Sequence, residues 1–366
     1  MNFEIQIIAI LVSAACAIPG VFLVLRKMSL MSDAISHSVL PGIVLGFLLG
    51  GTLSSPLLMI GAVVMGMITV IFTEAISKTQ LLKNDAAIGI VFPALFSIGV
   101  ILVSLYTGNI HLDTDAVLLG ELAFAPFNRF EVGGMDLGPQ SLWVMGSILA
   151  INLTLLLFFF KEIKIATFDP GLSAALGFSP ALIHYVLMVD VSVTAVGAFD
   201  AVGSILVVAL MIAPGAAAYL LTDRLGFMVA YAMVIGSLSA VLGFWVAIAL
   251  DGSIAGGIAG VAGLIFFFIF LGAPQKGLIP QMLTKRRQKL DFGLNILLVH
   301  LLNHQGSPEE NTECHRDHLK NHIKWDSSFA RTVVNLAQQK LFVNENQGIL
   351  TLTAEGQKQA VRNMEV

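Results

Sequence analysis

The sequence predicts an all-α polytopic membrane bundle of eight or nine transmembrane helices, followed by a small α+β domain at the C-terminal end. Hydrophobic residues make up 56% of the 366 residues and charged residues only 12%, whereas about a quarter of the residues in soluble domains are charged. Apolar stretches of the ~20 residues that span a bilayer recur along the chain as far as Gly272. An ordinary soluble protein is therefore excluded.

Nine apolar stretches are candidate membrane spans. They lie at 5–25, 34–50, 56–76, 86–106, 141–160, 181–198, 201–221, 226–250 and 253–272. The first is too long for the apolar region of a signal peptide and lacks a basic segment before it, so we expect a retained helix. The count is eight if 181–221 forms one broken helix, and nine if it forms two. A further apolar run, Ala116–Phe127, predicts a short extracellular helix.

Lysine and arginine concentrate in alternate connections between these stretches. Short cytoplasmic loops carry an excess of these residues, so the basic connections are expected in the cytoplasm. The basic residues concerned are Arg26, Lys27, Lys78, Lys83, Lys161, Lys164, Arg224, Lys276, Lys285, Arg286 and Arg287. With nine helices, this pattern predicts an extracytoplasmic N-terminus and a cytoplasmic C-terminus.

Two ionisable residues, Asp33 and His37, lie where the second apolar stretch begins. A charge in the hydrocarbon region is costly and usually faces a cavity, a partner or a transport pathway. The spacing of four residues puts the carboxylate and the imidazole on one face of a helix. The pair could supply two ligands to Zn²⁺, Mn²⁺ or Fe²⁺, with further ligands from another helix or a second subunit. The alternative is that Asp33 caps the helix and His37 makes a structural hydrogen bond.

Two segments resemble the ATP-binding-cassette permease family for manganese, zinc and iron. The first is Leu25–Ile43, which contains Asp33 and His37. The second is Ala201–Ala218, with a Val-Gly pair, an apolar run and a proline followed by small residues. The resemblance implies a transmembrane permease domain at 1–280. It also implies that Asp33 and His37 are metal ligands in the translocation pathway, facing their counterparts on a partner subunit.

The segment Phe168–Ser179 predicts a short helix with a proline start and a glycine stop. Its position between the fifth and sixth spans places it in the cytoplasm. It resembles the coupling helix with which such permeases contact their ATPase subunit. The resemblance assigns this role to Asp169, Pro170, Leu172, Ala175 and Gly177. From the residues alone, an ordinary loop helix is the preferred interpretation.

The sequence contains no Gly-x-x-x-x-Gly-Lys-Ser/Thr phosphate-binding loop, so we do not expect this chain to hydrolyse ATP itself. The resemblance implies separate cytoplasmic ATPase subunits and an extracytoplasmic metal-binding protein that delivers the ion. The alternative is a secondary transporter driven by an ion gradient, with His184, Asp190 and Asp200 as candidates for proton coupling. Of these, we expect only Asp190 deep in the bundle, and its role stays open.

The chain becomes polar after Gly272, and residues 285–366 predict a small cytoplasmic domain. Helical periodicity covers three segments. They lie at 290–304, 309–323 and 327–340. Two short strands about an Asn/Gly turn follow within Leu341–Gly356. This order resembles the winged helix-turn-helix of iron- and manganese-dependent repressors, but eleven basic against nine acidic residues from Lys285 onward argue against DNA binding.

Three histidines in the second of these segments, His315, His318 and His322, follow the spacing i, i+3, i+7. One face of a helix would then present three imidazoles, which suggests cytoplasmic metal sensing. The alternative is that they are solvated or structural histidines, because their spacing does not match a closed zinc site. For the whole chain, a membrane-anchored metal-responsive regulator is a further alternative, although nine helices are more than an anchor needs.

We therefore expect a multi-pass permease subunit in a bacterial inner membrane that moves a divalent transition metal into the cytoplasm, without a permanently bound cofactor. It would lie in lipid and pair with a second permease subunit, either a copy of this chain or a paralogue. One carboxylate and one imidazole per subunit suit manganese, zinc and iron alike, so the metal stays open.

Overall fold

The fold is described by a computed structural model that covers residues 2–52, 55–106, 122–132, 135–319 and 325–364. The chain divides into two compact units, Met1–Gly277 and Leu278–Val366. The apolar side chains of each unit form hydrophobic clusters of their own.

Within the described part of the first unit, nine helical segments are long and apolar enough to cross a membrane. They are α1 (Asn2–Leu25), α2 with α3 (Leu30–Ser38 and Leu40–Gly50), α4 (Pro56–Lys78), α5 (Asn84–Tyr106), α6 (Gln140–Phe158), α9 (Pro180–Val202), α10 (Ser204–Leu221), α11 (Leu225–Ala249) and α12 (Ile254–Gly272). Two shorter helices, α7 (Phe160–Phe168) and α8 (Pro170–Ala175), separate the fifth span from the sixth. The predicted helical membrane bundle is confirmed.

The long apolar stretch 181–221 forms two helices, α9 and α10, with only Gly203 between them. Gly203 has a φ of 81° and a ψ of 163°, a conformation that is almost confined to glycine. Because an α-helix cannot continue through this backbone conformation, the stretch counts as two spans. The residues that the structure covers therefore contain nine candidate spans rather than eight.

The second span is interrupted at Val39, between α2 and α3. Ser36 Oγ donates to the carbonyl oxygen one turn back at 2.9 Å, a bond that tends to bend helices. Pro41, which has no backbone N–H to continue the helical hydrogen bonding, lies in the first turn of α3. The interruption leaves α2 as a nine-residue helix that carries both Asp33 and His37.

Close helix packing organises the bundle around α1. Every residue from Val12 to Leu23 is buried, because α1 is surrounded by α6, α9, α10 and α11. At the crossing of α3 with α4, a Cβ on Gly42 would overlap the carbonyl oxygen of Gly61, and a Cβ on Gly61 would overlap that of Gly42. Small residues permit such close backbone approach in lipid. These two glycines therefore serve helix packing.

The predicted extracellular helix over 116–127 lies partly outside the described residues. Of the part that is described, 122–124 form a turn and Ala125–Phe127 a single 3-10 helix. A two-stranded antiparallel hairpin follows, formed by β1 (Arg129–Val132) and β2 (Met135–Pro139). The described residues of this connection are therefore mostly turn and hairpin.

Arg129 fastens this hairpin to the N-terminal end of α1. Its guanidinium lies 2.6 Å from a carboxylate oxygen of Asp136 and 3.4 Å from one of Glu4. The guanidinium and the Gly138 N–H hold the pKa of Asp136 below its usual range. Arg129 is thus paired with two acids.

The second unit combines helices with one hairpin. Its elements are α13 (Leu278–His304), α14 (Glu310–Glu313), α15 (Ser327–Gln339), β3 (Val343–Asn346), β4 (Ile349–Leu352) and α16 (Ala354–Met364). The basic run at 285–289 is part of α13. The core is formed by apolar residues of α13, α15 and the hairpin, including Leu294, Leu297, Leu298, Leu301, Val333, Val334, Val343 and Leu350.

The hairpin turn agrees with the sequence prediction. Asn346 pairs with Ile349, so the turn consists of Gln347 and Gly348 alone. Their φ angles are 48° and 86°, and two positive φ values are the signature of the type I′ turn that fits the twist of paired strands.

The predicted helix over 309–323 is interrupted after Glu313, where α14 ends. Cys314–His318 are not helical, Leu319 is helical again, and 320–323 lie outside the described residues. His315 instead forms an isolated antiparallel bridge with Ile349 of β4. The residue after it donates its N–H to the carbonyl oxygen of Gly348 at 2.9 Å. Because this segment satisfies its backbone groups by pairing with the hairpin, it does not continue the helix.

Candidate functional site

Asp33 and His37 lie one turn apart on α2, with Asp33 Oδ1 and His37 Nε2 separated by 3.4 Å. Their side chains are 40% and 33% exposed. Leu30 lies on the same face and is also exposed, whereas all other residues of α2 are buried. The helix therefore presents this carboxylate and imidazole on its single open face.

Contacts with neighbouring helices hold this pair in place. The ring centroid of His37 lies 6.1 Å from that of Phe92 and 6.4 Å from that of Phe96, both on α5. At the end of α2, the hydroxyls of Ser38 and Thr69 are 2.6 Å apart, which ties the helix to α4. Packing of this kind fixes the helix that supports the two side chains and so keeps them in one geometry.

The structure does not give Asp33 the capping role. The cap position of α2 is Ser29, and Asp33 lies in the helix with its carboxylate toward His37. A carboxylate and an imidazole are suitable ligands for divalent transition metals. Two ligands leave most of a coordination shell unfilled, so a metal bound here needs groups from outside α2.

The acidic residues considered for proton coupling differ in their surroundings. Asp190 is 8% exposed within α9, as expected for a residue deep in the bundle. Asp200, near the C-terminal end of the same helix, is exposed. Neither is part of the pair on α2.

A polar cluster that sequence reasoning missed joins four helical segments. Arg26, directly after α1, lies 2.8 Å from His184 Nδ1 of α9 and donates to Thr167 Oγ1 of α7 at 3.2 Å. His184 Nε2 contacts Glu74 of α4, and the Tyr185 hydroxyl donates to the same carboxylate at 3.1 Å. His184 and Glu74 are only 17% and 14% exposed. His184 is therefore held between charged partners.

We expect Glu74→Gln to destabilise the first unit by about 1–3 kcal/mol, because it removes the negative charge beside Arg26 and His184 and replaces one of the two acceptor oxygens by a donor NH₂ group. The measurement is thermal unfolding of the purified chain in detergent. Lys78→Gln is the matched control, since Lys78 contacts the same carboxylate at 3.2 Å but is 72% exposed. We expect this control to change stability little. Equal losses in the two variants would contradict a structural role for the cluster.

The predicted coupling segment forms the short helix α8, which is capped at both ends. Asp169 Oδ1 accepts the N–H of Leu172 at 2.9 Å, and Pro170 begins the helix. After Ala175, the chain turns at Gly177, which has a φ of 87°. Asp169 is thus the N-cap and Pro170 the N1 proline that begin the helix, and Gly177 is the left-handed glycine that ends it.

Three apolar side chains on and around α8 are exposed. Phe168 is 57% exposed, Leu172 48% and Leu176 55%. Leu172 and Leu176 lie four residues apart, on α8 and at its C-cap, and Phe168 is the last residue of α7, directly before the N-cap Asp169. These three side chains are called the α8 stripe below. Exposed apolar side chains on and beside a capped helix are typical of a surface that contacts another protein.

The three histidines predicted for metal sensing do not share a helix face. His315 lies in the bridge to β4 and His318 in a turn, while His322 lies outside the described residues. His318 Nδ1 is 3.4 Å from Glu313 Oε2. His315 and His318 therefore do not form the predicted row of imidazoles, because α14 ends at Glu313.

A different group of ligand-type side chains comes together in the second unit. His300 and His304 of α13 and Glu313 of α14 each offer a ligand atom within 4.8 Å of the others. The spacing of four between the two histidines is visible in the sequence. Their proximity to Glu313 is not, because it depends on how the connection after α13 folds back to place α14 beside them.

The first unit matches a protein-family model over almost its whole length. The model is described as the ABC 3 transport family and matches residues 3–273. The chain belongs to this family. The match ends just beyond α12 and leaves the second unit outside the ABC 3 region.

Two curated relatives show how far the ABC 3 likeness extends. The zinc transport system membrane protein TroD of Treponema pallidum is 50% identical over 366 residues, covering 100% of both chains. The manganese transport system membrane protein MntD of Bacillus subtilis is 46% identical over 292 residues, which are 79% of this chain and 99% of that relative. The likeness to TroD thus includes the second unit, whereas MntD is matched by part of this chain alone.

The ABC 3 fold also has a solved counterpart. PsaBC from Streptococcus pneumoniae, determined in complex with Fab, superposes with a TM-score of 0.62 at 32% identity, covering 75% of this chain and 92% of that one. The bundle is therefore an ABC permease fold. The function predicted from the sequence, a permease subunit of an ABC importer for zinc, manganese or iron, is confirmed by these comparisons.

Proposed function

We propose that this chain forms one half of the pathway through which a bacterial importer moves a divalent transition metal into the cytoplasm, with Asp33 and His37 as transient ligands. The observation that carries the proposal is the open face of α2, where the carboxylate and the imidazole stand 3.4 Å apart on a helix whose other residues, apart from Leu30, are buried. Ionisable side chains at such a position in a membrane span favour an ion pathway.

The proposed substrate is Mn²⁺, Zn²⁺ or Fe²⁺. The names of the two relatives, for zinc and for manganese, support this class of ion. Imidazole and carboxylate ligands suit all three metals, and coordination geometry selects among them. Conduction requires release as well as binding, and two ligands per subunit hold an ion less firmly than a closed protein site.

A second permease subunit completes the proposed site. The pair on α2 is one third or more exposed, so a partner subunit facing it would bring its own ligands to the same ion. Two carboxylates and two imidazoles would then surround the metal. Either a second copy of this chain or a paralogue fits this requirement.

Separate cytoplasmic ATPase subunits supply the energy in this proposal, and the α8 stripe is their docking element. Asp169, Pro170, Leu172, Ala175 and Gly177 build or cap the helix that carries it. The C-terminus then lies on the cytoplasmic side of the bacterial inner membrane. An extracytoplasmic metal-binding protein delivers the ion from the opposite side.

The second unit is proposed to be a cytoplasmic domain of the winged helix-turn-helix type. Three helices precede a hairpin, and β4 of this hairpin also pairs with the segment at His315. This arrangement supports a wing packed on a helical core. The near balance of basic and acidic residues favours a regulatory role at the membrane over DNA binding.

Uptake measurements test the proposal. Cells expressing the complete transporter would be supplied with radioactive Mn²⁺, Zn²⁺ or Fe²⁺, with and without the ATPase subunit. We expect uptake of at least one of these ions to require both the permease and the ATPase, and competition among the ions to reveal the preferred one. No ATPase-dependent uptake of any of the three, at verified membrane abundance, would contradict the proposal.

A further inference from the structure

We propose that the second unit binds a divalent transition metal of its own through His300, His304 and Glu313. The two histidines lie one turn apart on α13, with ring centroids separated by 4.7 Å. Glu313, the last residue of α14, brings a carboxylate oxygen so that the three ligand atoms lie within 4.8 Å of one another. None of these residues belongs to the pair on α2.

The core of the second unit orients the two histidines. Leu297 and Leu301 of α13 are completely buried, and each precedes one of the histidines by three residues, on the adjacent helix face. The rotation of α13 about its axis is therefore fixed by packing. The connection between α13 and α14 is also fixed, because the Gly306 N–H donates to Glu310 Oε2 at 2.8 Å. The site thus rests on an ordered helix and a tight connection.

The surroundings of His300 match those of a metal-binding histidine. Its Nε2 lies 3.0 Å from the backbone carbonyl oxygen of Glu313. When Nε2 donates this hydrogen bond, Nδ1 carries the lone pair that a metal needs. Metal-bound histidines usually donate their other ring N–H to a carbonyl or carboxylate oxygen, which fixes the tautomer and the ring orientation.

A fourth group stands beside the carboxylate. His318 Nδ1 lies 3.4 Å from Glu313 Oε2, and Glu313 is only 14% exposed. A carboxylate so enclosed is stabilised by a nearby cation. His318 can therefore either orient the Glu313 carboxylate or join it as a further ligand.

The donor set defines the class of ion. Imidazole nitrogens with one carboxylate suit Zn²⁺, Mn²⁺ and Fe²⁺, whereas Ca²⁺ and Mg²⁺ prefer oxygen ligands. Ligand atoms about 2.0–2.2 Å from a tetrahedral zinc ion stand roughly 3.3–3.6 Å from one another. The upper bound of 4.8 Å therefore requires only small side-chain rotations for closure.

Metal binding here would join the end of α13 to α14. The segment that follows Glu313 pairs with β4, so an ion at this site would restrain the hairpin as well. The ion is of the class that the proposed function assigns to the pathway. The site would then report the cytoplasmic level of the transported metal, a step that rests on the proposed function.

Zinc binding to the purified, metal-stripped full chain in detergent tests the proposal. Bound Zn²⁺ would be counted by equilibrium dialysis, and Co²⁺ would serve as a spectroscopic probe of coordination. We expect His300→Ala, His304→Ala and Glu313→Gln each to weaken binding at this site at least about tenfold. His315→Ala is the matched control, since His315 is a neighbouring histidine that takes no part in the group, and we expect it to bind as the wild type does.

Repeating the titration in an Asp33→Ala/His37→Ala background distinguishes metal bound by the second unit from metal bound by the pair on α2. The equivalent bound by the second unit should persist there and disappear only when His300 and His304 are also replaced. Equal binding with and without these two histidines, in chains that keep their circular dichroism, would overturn the proposal. If the double histidine variant does not fold, Glu313→Gln decides the question, because it preserves side-chain size.

Discussion

Replacing Asp33 or His37 by alanine is expected to lower metal uptake at least about tenfold at equal membrane abundance. Each substitution removes one of the two ligands that α2 presents, and a tenfold loss corresponds to about 1.4 kcal/mol of binding free energy. The fold of α2 should survive, because both side chains are at least one third exposed. The measurement is the initial rate of uptake of radioactive Mn²⁺, Zn²⁺ and Fe²⁺.

The double variant sharpens this test. Because both side chains act on the same ion, the loss in Asp33→Ala/His37→Ala should be close to the larger single loss rather than the product of the two. A full product of the two losses would indicate that the residues act at separate steps. The pattern of losses thus reports whether they form one site.

Asp85→Ala provides the control for removing a carboxylate near the end of a span. Asp85 is exposed in the first turn of α5 and has no part in the pair, so uptake should stay unchanged. Unchanged uptake of all three metals in Asp33→Ala and His37→Ala would remove the pair from the pathway.

The membrane spans could be predicted to within a few residues from the sequence. The stretch 5–25 corresponds to Asn2–Leu25, and 253–272 corresponds to Ile254–Gly272. An apolar stretch of this length has few options in lipid, because every backbone polar group must find a partner within the segment. The pair on α2 was also predictable, because its spacing is local.

Features that depend on distant residues were not predictable in the same way. His184 meets Arg26 across 158 positions and Glu74 across 110 positions, and no periodic pattern connects them. The segment after Glu313 has helical spacing, yet its backbone pairs with β4. Periodicity describes a segment in isolation, so it cannot register competition from a strand elsewhere in the chain.

Placing a charge in the α8 stripe is expected to separate the permease from its ATPase subunit. Leu172→Asp puts a carboxylate between Phe168 and Leu176, where an apolar contact is proposed. A central residue of a docking surface contributes about 2 kcal/mol or more, which corresponds to roughly a 30-fold loss of affinity. The measurements are the affinity of the ATPase subunit for the permease in detergent and ATP-driven metal uptake in vesicles.

Leu81→Asp tests whether the position of the charge matters. Leu81 lies in the connection between α4 and α5 and is 84% exposed, on the side of the membrane that is predicted to face the ATPase. We expect this variant to assemble and transport normally, because the α8 stripe remains intact. Normal assembly of Leu172→Asp would exclude α8 as the docking element. Lost assembly with unchanged metal binding at Asp33 and His37 would show that docking and ion binding are separate properties of the first unit.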